Sequence, residues 1–354
     1  MTLVVNTWKS LRNAAQRAAF FCVALVLAGC TSELTLDRLS GRTMGTSWSV
    51  VIANPIAAHD SAALTAEIEA VLADLNRQMS TYDPESEISR FNNSEPGDWV
   101  PVSDLFAVTT AKALGFSAIS GGAFDPTVGP VVDLWGFGPT DGAEALPADD
   151  AVEAARAQVG HEAILVRAPE ADGGAGLKKT APRRLDLSAI AKGLGVDQIA
   201  ALLEDRGYRN FLVEIGGEVR VKGDKDGFGW QIAVEKPVMG ERQVEQILAL
   251  MNISVATSGD YRNFREIDGK VYSHTVDPST GRPVTHQLAS VTVADEECAM
   301  ADGWATTLLV MGPDAGYALA VRQNLPAMFI ERVDEGFSVK YTPRFERLLE
   351  GVNE

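Results

Sequence analysis

Apolar residues along the chain fall into two spacings, and the switches between them mark its elements. Over 61–80, Leu64, Ile68, Leu72, Leu75 and Met79 stand three or four apart, which predicts an amphipathic helix capped by Asp60 or Ser61. A second helix is expected from Ser103 to Ser120, stopping at Gly121-Gly122, and a third from Ser188 to near Gly207. "GRTMGTSWSVVIA" (41–53) alternates as a strand does, and "FLVEIGGEVRVKG" (211–223) reads as two strands around a Gly-Gly bend. Strand-like runs follow at 230–235, 252–257, 270–276 and 288–294. They lead into helices over 298–311 and 314–323 and a closing strand over 326–332. Residues 139–149 and 170–179 collect Gly, Pro and Asp and read as loops, the second exposed. Strands and helices intermingle without regular βαβ alternation, which points to an α+β fold of mixed sheets with one large sheet system.

The first 29 residues change this picture. Lys9, Arg12 and Arg17 precede an apolar run, Ala18 to Ala28, that is too short to span a bilayer and right for an export signal. It ends in Leu27-Ala28-Gly29-Cys30, which resembles a bacterial lipobox with Cys30 as the lipidated residue. The expected organisation is therefore a signal over 1–29, a lipidated tether over 30–40 and one globular domain over 41–345.

The formal net charge is -17, and loss of the signal leaves 28 basic against 48 acidic residues. So acidic a chain, with Lys and Arg unclustered, is a poor ligand for phosphate backbones, so no nucleic-acid partner is expected. An anionic nucleotide would need a cation or backbone N–H groups to offset the local charge. Of three Cys, only Cys298 falls in the expected domain, so no intrachain disulfide and no Cys-based zinc site are expected.

Four stretches carry candidate chemistry. In "CAMADGWATTLLVMG" (298–312), Asp302 and Thr306 project from one helix face and could share a hard cation such as Mg²⁺; the spacing serves equally for a capping Asp and a Thr bonded to its own backbone. In "LDLSAIAKGLGVDQIA" (185–200), Ser188 can cap a helix whose first N–H groups favour an anion, with Lys192 one turn in as a phosphate partner or a solvated Lys. No P-loop or Rossmann glycine pattern is present. "SGGAFDPTVGPVVDLWGFG" (120–138), dense in Gly and Pro yet apolar, reads as an irregular loop, either filling core or offering Phe124 and Trp135 as stacking surfaces. "YSHTVDPSTGRPVTHQ" (272–287) puts His274 in a polar turn as an acid/base candidate, with Asp277 and Arg282 bracing each other across it.

Taken in order, "TMGTSWSV", "STYDPESEISRFN", "GGAFDPTVGP", "DLSAIAKGLGVD", "IGGEV", "SGDYRNF", "SHTVDPSTGRPV" and "ADGWATTLLVMG" resemble the ApbE-like family, the FAD:protein FMN transferases, over residues 38–345. The resemblance implies a two-lobed α+β fold enclosing a flavin-binding cleft. It implies cleavage of FAD, as substrate, with FMN attached through a phosphoester to a Thr of a partner redox protein and release of AMP. That Thr would sit in a Ser/Thr-Gly-Ala-Thr-like segment of a membrane-associated subunit. By motif position, Met44, Tyr82, Ala123, Phe124, Asp125, Asp186, Lys192 and Val276 would contact FAD. Asp302, Thr306 and the Ala189 carbonyl would bind Mg²⁺, and His274 would be functional, with His274 or an Asp serving as base. The expected location is the periplasmic side of the inner membrane, held by lipid on Cys30. Some relatives carry Asp where this chain has Ala305, three residues after Asp302, where it would add a metal oxygen. An FAD pyrophosphatase yielding FMN and AMP, or a noncatalytic flavin-binding lipoprotein, are the rival readings.

Overall fold

A computed structural model describes residues 34–351 apart from 140–144, 239, 241–242, 262 and 268. The expected signal segment and Cys30 lie outside the described residues. In chain order come β1 (Leu36–Thr43), β2 (Thr46–Ala53), α1 (Ser61–Met79), α2 (Glu87–Asn93), β3 (Val100–Pro101), α3 (Asp104–Ser120), α4 (Gly129–Leu134) and α5 (Asp149–Arg156). β4 (Ile164–Arg167), β5 (Gly176–Lys179), α6 (Ser188–Asp205), β6 (Phe211–Ile215), β7 (Glu218–Lys222), β8 (Trp230–Glu235) and β9 (Val244–Leu250) follow. β10 (Ile253–Gly259), β11 (Phe264–Ile267), β12 (Lys270–Ser273), β13 (Val276–Asp277), β14 (Arg282–Pro283) and β15 (Leu288–Asp295) precede α7 (Cys298–Arg322), β16 (Ala327–Val333), β17 (Gly336–Tyr341) and α8 (Pro343–Leu349).

One eight-stranded sheet, ordered β1-β2-β6-β7-β10-β15-β16-β17, dominates the molecule. Every strand pair among the described residues is antiparallel, so the sheets are not mixed in direction. Successive side chains of a strand point to opposite faces, and β2 shows the consequence. Trp48, Val50 and Ile52 pack with α1 and α6, whereas Val51 and Ala53 join Trp230, Leu248 and Phe345 on the other face. Helices therefore cover one face, and the β8–β9 ribbon with α8 covers the other. β15 is buried along almost its whole length, which explains why its run "LASVTVA" is nearly unbroken by large polar residues.

Several helix ends obey the sequence. Asp60 accepts hydrogen bonds from the Ala62 and Ala63 N–H groups at the start of α1. Ser103 caps α3, and Gly121 ends it in the left-handed conformation. α7 is broken at Gly312, whose φ of 81° no ordinary side chain adopts readily, so the two expected helices run on with a kink between them.

Other boundaries moved. The expected strand at 41–53 is a hairpin: β1 begins at Leu36, inside the expected tether, and turns at Met44 and Gly45, both at positive φ. The expected loop at 170–179 ends as β5, because 176–179 pair with β4. The "irregular" 120–138 stretch contains α4, started by Pro130 in its first turn. The single strand expected over 270–276 is split between β12 and β13. No helix among the described residues is long and apolar enough to cross a membrane.

Candidate active site

Loops and helix starts, not the sheet faces, build the site. A cleft of about 1020 Å³ opens where the β1–β2 turn, the β6–β7 turn and the end of β10 meet the first turns of α6 and the middle of α7. Residues 123–128 and the segment from His274 to Val276 also line it. Every site residue that the resemblance implied, among those described, borders this one cleft. Met44, Tyr82, Ala123, Phe124 and Asp125 come from the first half of the chain, Asp186, Ala189 and Lys192 from the start of α6, and His274, Val276, Asp302 and Thr306 from the last third.

At one end stands a knot of charge. Asp302 is 2 % exposed; its Oδ2 accepts the Gly193 N–H at 3.0 Å, and its Oδ1 faces Lys192 Nζ at 3.6 Å. Lys192 Nζ lies 3.0 Å from Glu218 Oε1. Burial alone would lower the Lys192 pKa, but the Asp302 and Glu218 carboxylates outweigh it and hold the amine charged. Burial pushes Glu218 up to about 7 against the pull of Lys192, and raises Asp302 likewise. Lys192 is thus a bridge between two buried carboxylates rather than a solvated surface side chain.

These residues meet the basic needs of a hard cation. Asp302 supplies a carboxylate oxygen, and Thr306, whose hydroxyl lies 2.9 Å from Ser258 Oγ, supplies a second oxygen from the same helix face. Ala189 borders the same cleft, and four residues on the Gly193 N–H donates to Asp302. Glu218 Oε2 is buried with no hydrogen-bond partner. Oxygen donors of this kind suit Mg²⁺, which leaves positions for water and phosphate. No group of three or more His, Cys, Asp or Glu able to hold a metal occurs among the described residues, so a closed protein cage for zinc is not what this end offers.

His274 belongs to the same cleft. Its Nδ1 lies 2.9 Å from the Asn263 carbonyl oxygen, which can only accept, so Nδ1 carries the hydrogen and Nε2 is left with its lone pair. Burial lowers its pKa, and the nearby Lys192 charge works in the same direction. Tyr82, 67 % exposed, stands at the cleft as a broad aromatic surface; burial, then Asp186 and Asp133, raise its pKa. Asp125 is a brace: its carboxylate accepts from the Thr127 N–H and hydroxyl and faces His161 Nδ1 at 3.0 Å, so only its backbone is left to meet a ligand.

Four expectations fail on geometry. Phe124 borders the cleft but is 4 % exposed and packs on Phe116, so it is wall rather than platform. Trp135 does not border the cleft; it donates to the Gly281 carbonyl and lies against Tyr272, pinning the turn that follows His274. Arg282 and Asp277 do not brace each other: Arg282 pairs with Asp149, and Asp277 accepts from the Ser279 N–H and hydroxyl. Asp186, not Ser188, accepts the first N–H of α6, because a side chain two residues earlier reaches it at 2.8 Å. Ala305 is fully buried in the core cluster and does not itself border the cleft. Glu218 and Asn263 were missed as individual residues, although both lie inside quoted motifs, "IGGEV" and "SGDYRNF"; neither residue type signals its role without the fold.

The sequence profile of the ApbE family matches residues 44–329. The chain is 42 % identical over 327 residues to the FAD:protein FMN transferase of Vibrio cholerae, covering 92 % of this chain and 96 % of that one. It is 43 % identical over 339 residues to the FAD:protein FMN transferase of Haemophilus influenzae, covering 93 % and 96 %. Among solved structures, the flavin transferase ApbE from Vibrio cholerae superposes with a TM-score of 0.81 at 41 % identity, covering 88 % of this chain and 99 % of that one. The flavinyl transferase ApbE of Pseudomonas stutzeri gives 0.81 at 38 %, covering 91 % and 98 %.

Proposed function

The chain belongs to the ApbE family of flavin transferases, and from that premise we propose that it is a Mg²⁺-dependent FAD:protein FMN transferase that modifies a Thr hydroxyl and releases AMP. The observation that carries this reading is the single cleft in which the α6 start, the Asp302–Thr306 helix face and His274 converge.

The acceptor oxygen forms a bond to the FMN-side phosphorus of FAD as the bond from that phosphorus to the bridging oxygen breaks, and AMP leaves with the bridging oxygen. The hydroxyl proton passes to His274 Nε2, which the Asn263 carbonyl keeps unprotonated and aimed. Lys192 puts a positive charge in the cleft, which favours the diphosphate in an acidic protein. Asp302, Thr306 and the Ala189 carbonyl would hold Mg²⁺, which compensates charge on the phosphate oxygens when bound. Tyr82 offers a face to the isoalloxazine or to the acceptor at the cleft mouth.

The test is incubation with FAD, Mg²⁺ and an acceptor protein bearing a Ser/Thr-Gly-Ala-Thr segment. A covalently fluorescent acceptor and an equal yield of AMP are expected; free FMN and AMP alone would reject transfer. Asp302→Ala is expected to abolish Mg²⁺-dependent AMP release with an unchanged circular dichroism spectrum, and full activity would remove the metal from this site. The location we infer is the periplasmic side of the inner membrane, anchored by lipid on Cys30. Cys30→Ser should move the protein from the membrane to the soluble fraction of a cell lysate.

A further inference from the structure

The β6–β7 hairpin turns through Gly216 and Gly217, both at positive φ, and sets Ile215 and Glu218 directly opposite each other. Opposed residues of an antiparallel pair share a face of the sheet. Ile215 packs among residues of α1 and α6, so Glu218 rises on the helix side, where it borders the cleft and is 3 % exposed. A carboxylate buried this deeply is costly unless it is paired. Its one ion-pair partner among the described residues is Lys192, whose Nζ lies 3.0 Å from Oε1.

Lys192 does not divide itself evenly between its two carboxylates. It stands 3.0 Å from Glu218 but 3.6 Å from Asp302 Oδ1. The Gly193 N–H occupies Asp302 Oδ2, so Oδ1 is the oxygen over which an ammonium and a divalent cation would compete. Two carboxylates against one ammonium leave this end of the cleft with a formal charge of one negative unit. Without Glu218 the pair of Lys192 and Asp302 would be neutral, and the lysine would have no anion but Asp302. A metal would then have to displace it.

We propose that Glu218 is a positioning residue: it anchors the Lys192 ammonium as a counter-ion of its own, keeps Asp302 open for the divalent cation, and so lets both positive groups face the diphosphate together. This role presupposes the Mg²⁺ assignment of Asp302 and Thr306 and deepens it.

The experiment reads metal binding without turnover. Mn²⁺, which suits the same oxygen donors as Mg²⁺, is titrated into the full chain without FAD, and the free ion is followed by electron paramagnetic resonance. Burial pushes Glu218 up to about 7, so the titration is run at pH 8, where its carboxylate is ionised. Glu218→Gln keeps the shape and removes the charge; the Mn²⁺ Kd should rise about 10-fold or more. Adding Lys192→Met to Glu218→Gln removes the rival ammonium and should restore wild-type affinity. Lys192→Met alone should bind Mn²⁺ at least as tightly as the wild type.

Wild-type affinity in Glu218→Gln overturns the proposal. So does a double variant no tighter than Glu218→Gln, the result expected of a direct metal ligand or of a purely structural support. If Glu218→Gln does not fold, Lys192→Met decides alone, and binding weaker than wild type overturns the proposal. Asp302→Ala separates this role from the assignment beneath it. Mn²⁺ binding that is absent from the wild type, or that survives Asp302→Ala, rejects the metal assignment and the role of Glu218 with it. Binding lost in Asp302→Ala but untouched in Glu218→Gln rejects the role of Glu218 alone.

Discussion

His274 gives its Nδ1 hydrogen to the Asn263 carbonyl, and that bond decides which nitrogen can accept a proton. Burial and then the nearby Lys192 charge lower its pKa, so the neutral form, the one a base needs, persists to lower pH than in an exposed His. The acid limb of kcat against pH should therefore have its midpoint below the ordinary value of about 6.5. His274→Gln should remove that limb and cost roughly 10²–10⁴ in kcat; a variant with wild-type kcat would take His274 out of the chemistry. The type of this residue and its polar turn were legible in the sequence. Its partner was not, because Asn263 is eleven residues away and reaches it only through the pairing of β11 with β12.

At the scale of elements, the site depends on how closely α6 and α7 approach. Gly193 sits where an added Cβ would lie 2.4 Å from the Cys298 carbonyl oxygen, which is backbone and cannot swing aside. The same residue donates its N–H to Asp302. Gly193→Ala should destabilise the protein by about 1–3 kcal/mol, seen in thermal unfolding. It should also weaken FAD binding, since it pushes apart the helices that bring Lys192 to Asp302. Unchanged melting and unchanged FAD affinity would show that the helices can separate freely. The helices themselves were predictable from spacing and caps: Asp60, Ser103 and Gly121 act as read. Strand ends were less so. β5 and β9 follow or carry few distinguishing signals and exist because β4 and β8 pair with them.

Over the whole molecule, the net charge of -17 opposes an anionic substrate at long range, while Lys192 puts a positive charge inside the cleft. Raising ionic strength from about 0.01 M to about 0.1 M shortens the Debye length from ~30 to ~10 Å, which screens the first effect more than the second. FAD association, followed by stopped-flow fluorescence quenching, should accelerate over this range; a steep slowing would mean that attraction, not repulsion, governs approach. By itself the sequence determined the α+β class, the four long helices, the large sheet system, and the roll of cleft residues, because spacing, caps and motif order are local properties. Only the tertiary structure decided that Lys192 bridges Glu218 and Asp302, that Arg282 turns to Asp149 and that Trp135 pins a turn instead of facing the cleft. Those choices depend on which distant charge or carbonyl arrives within about 3 Å, the range over which hydrogen bonds act, and no spacing along a chain encodes that distance.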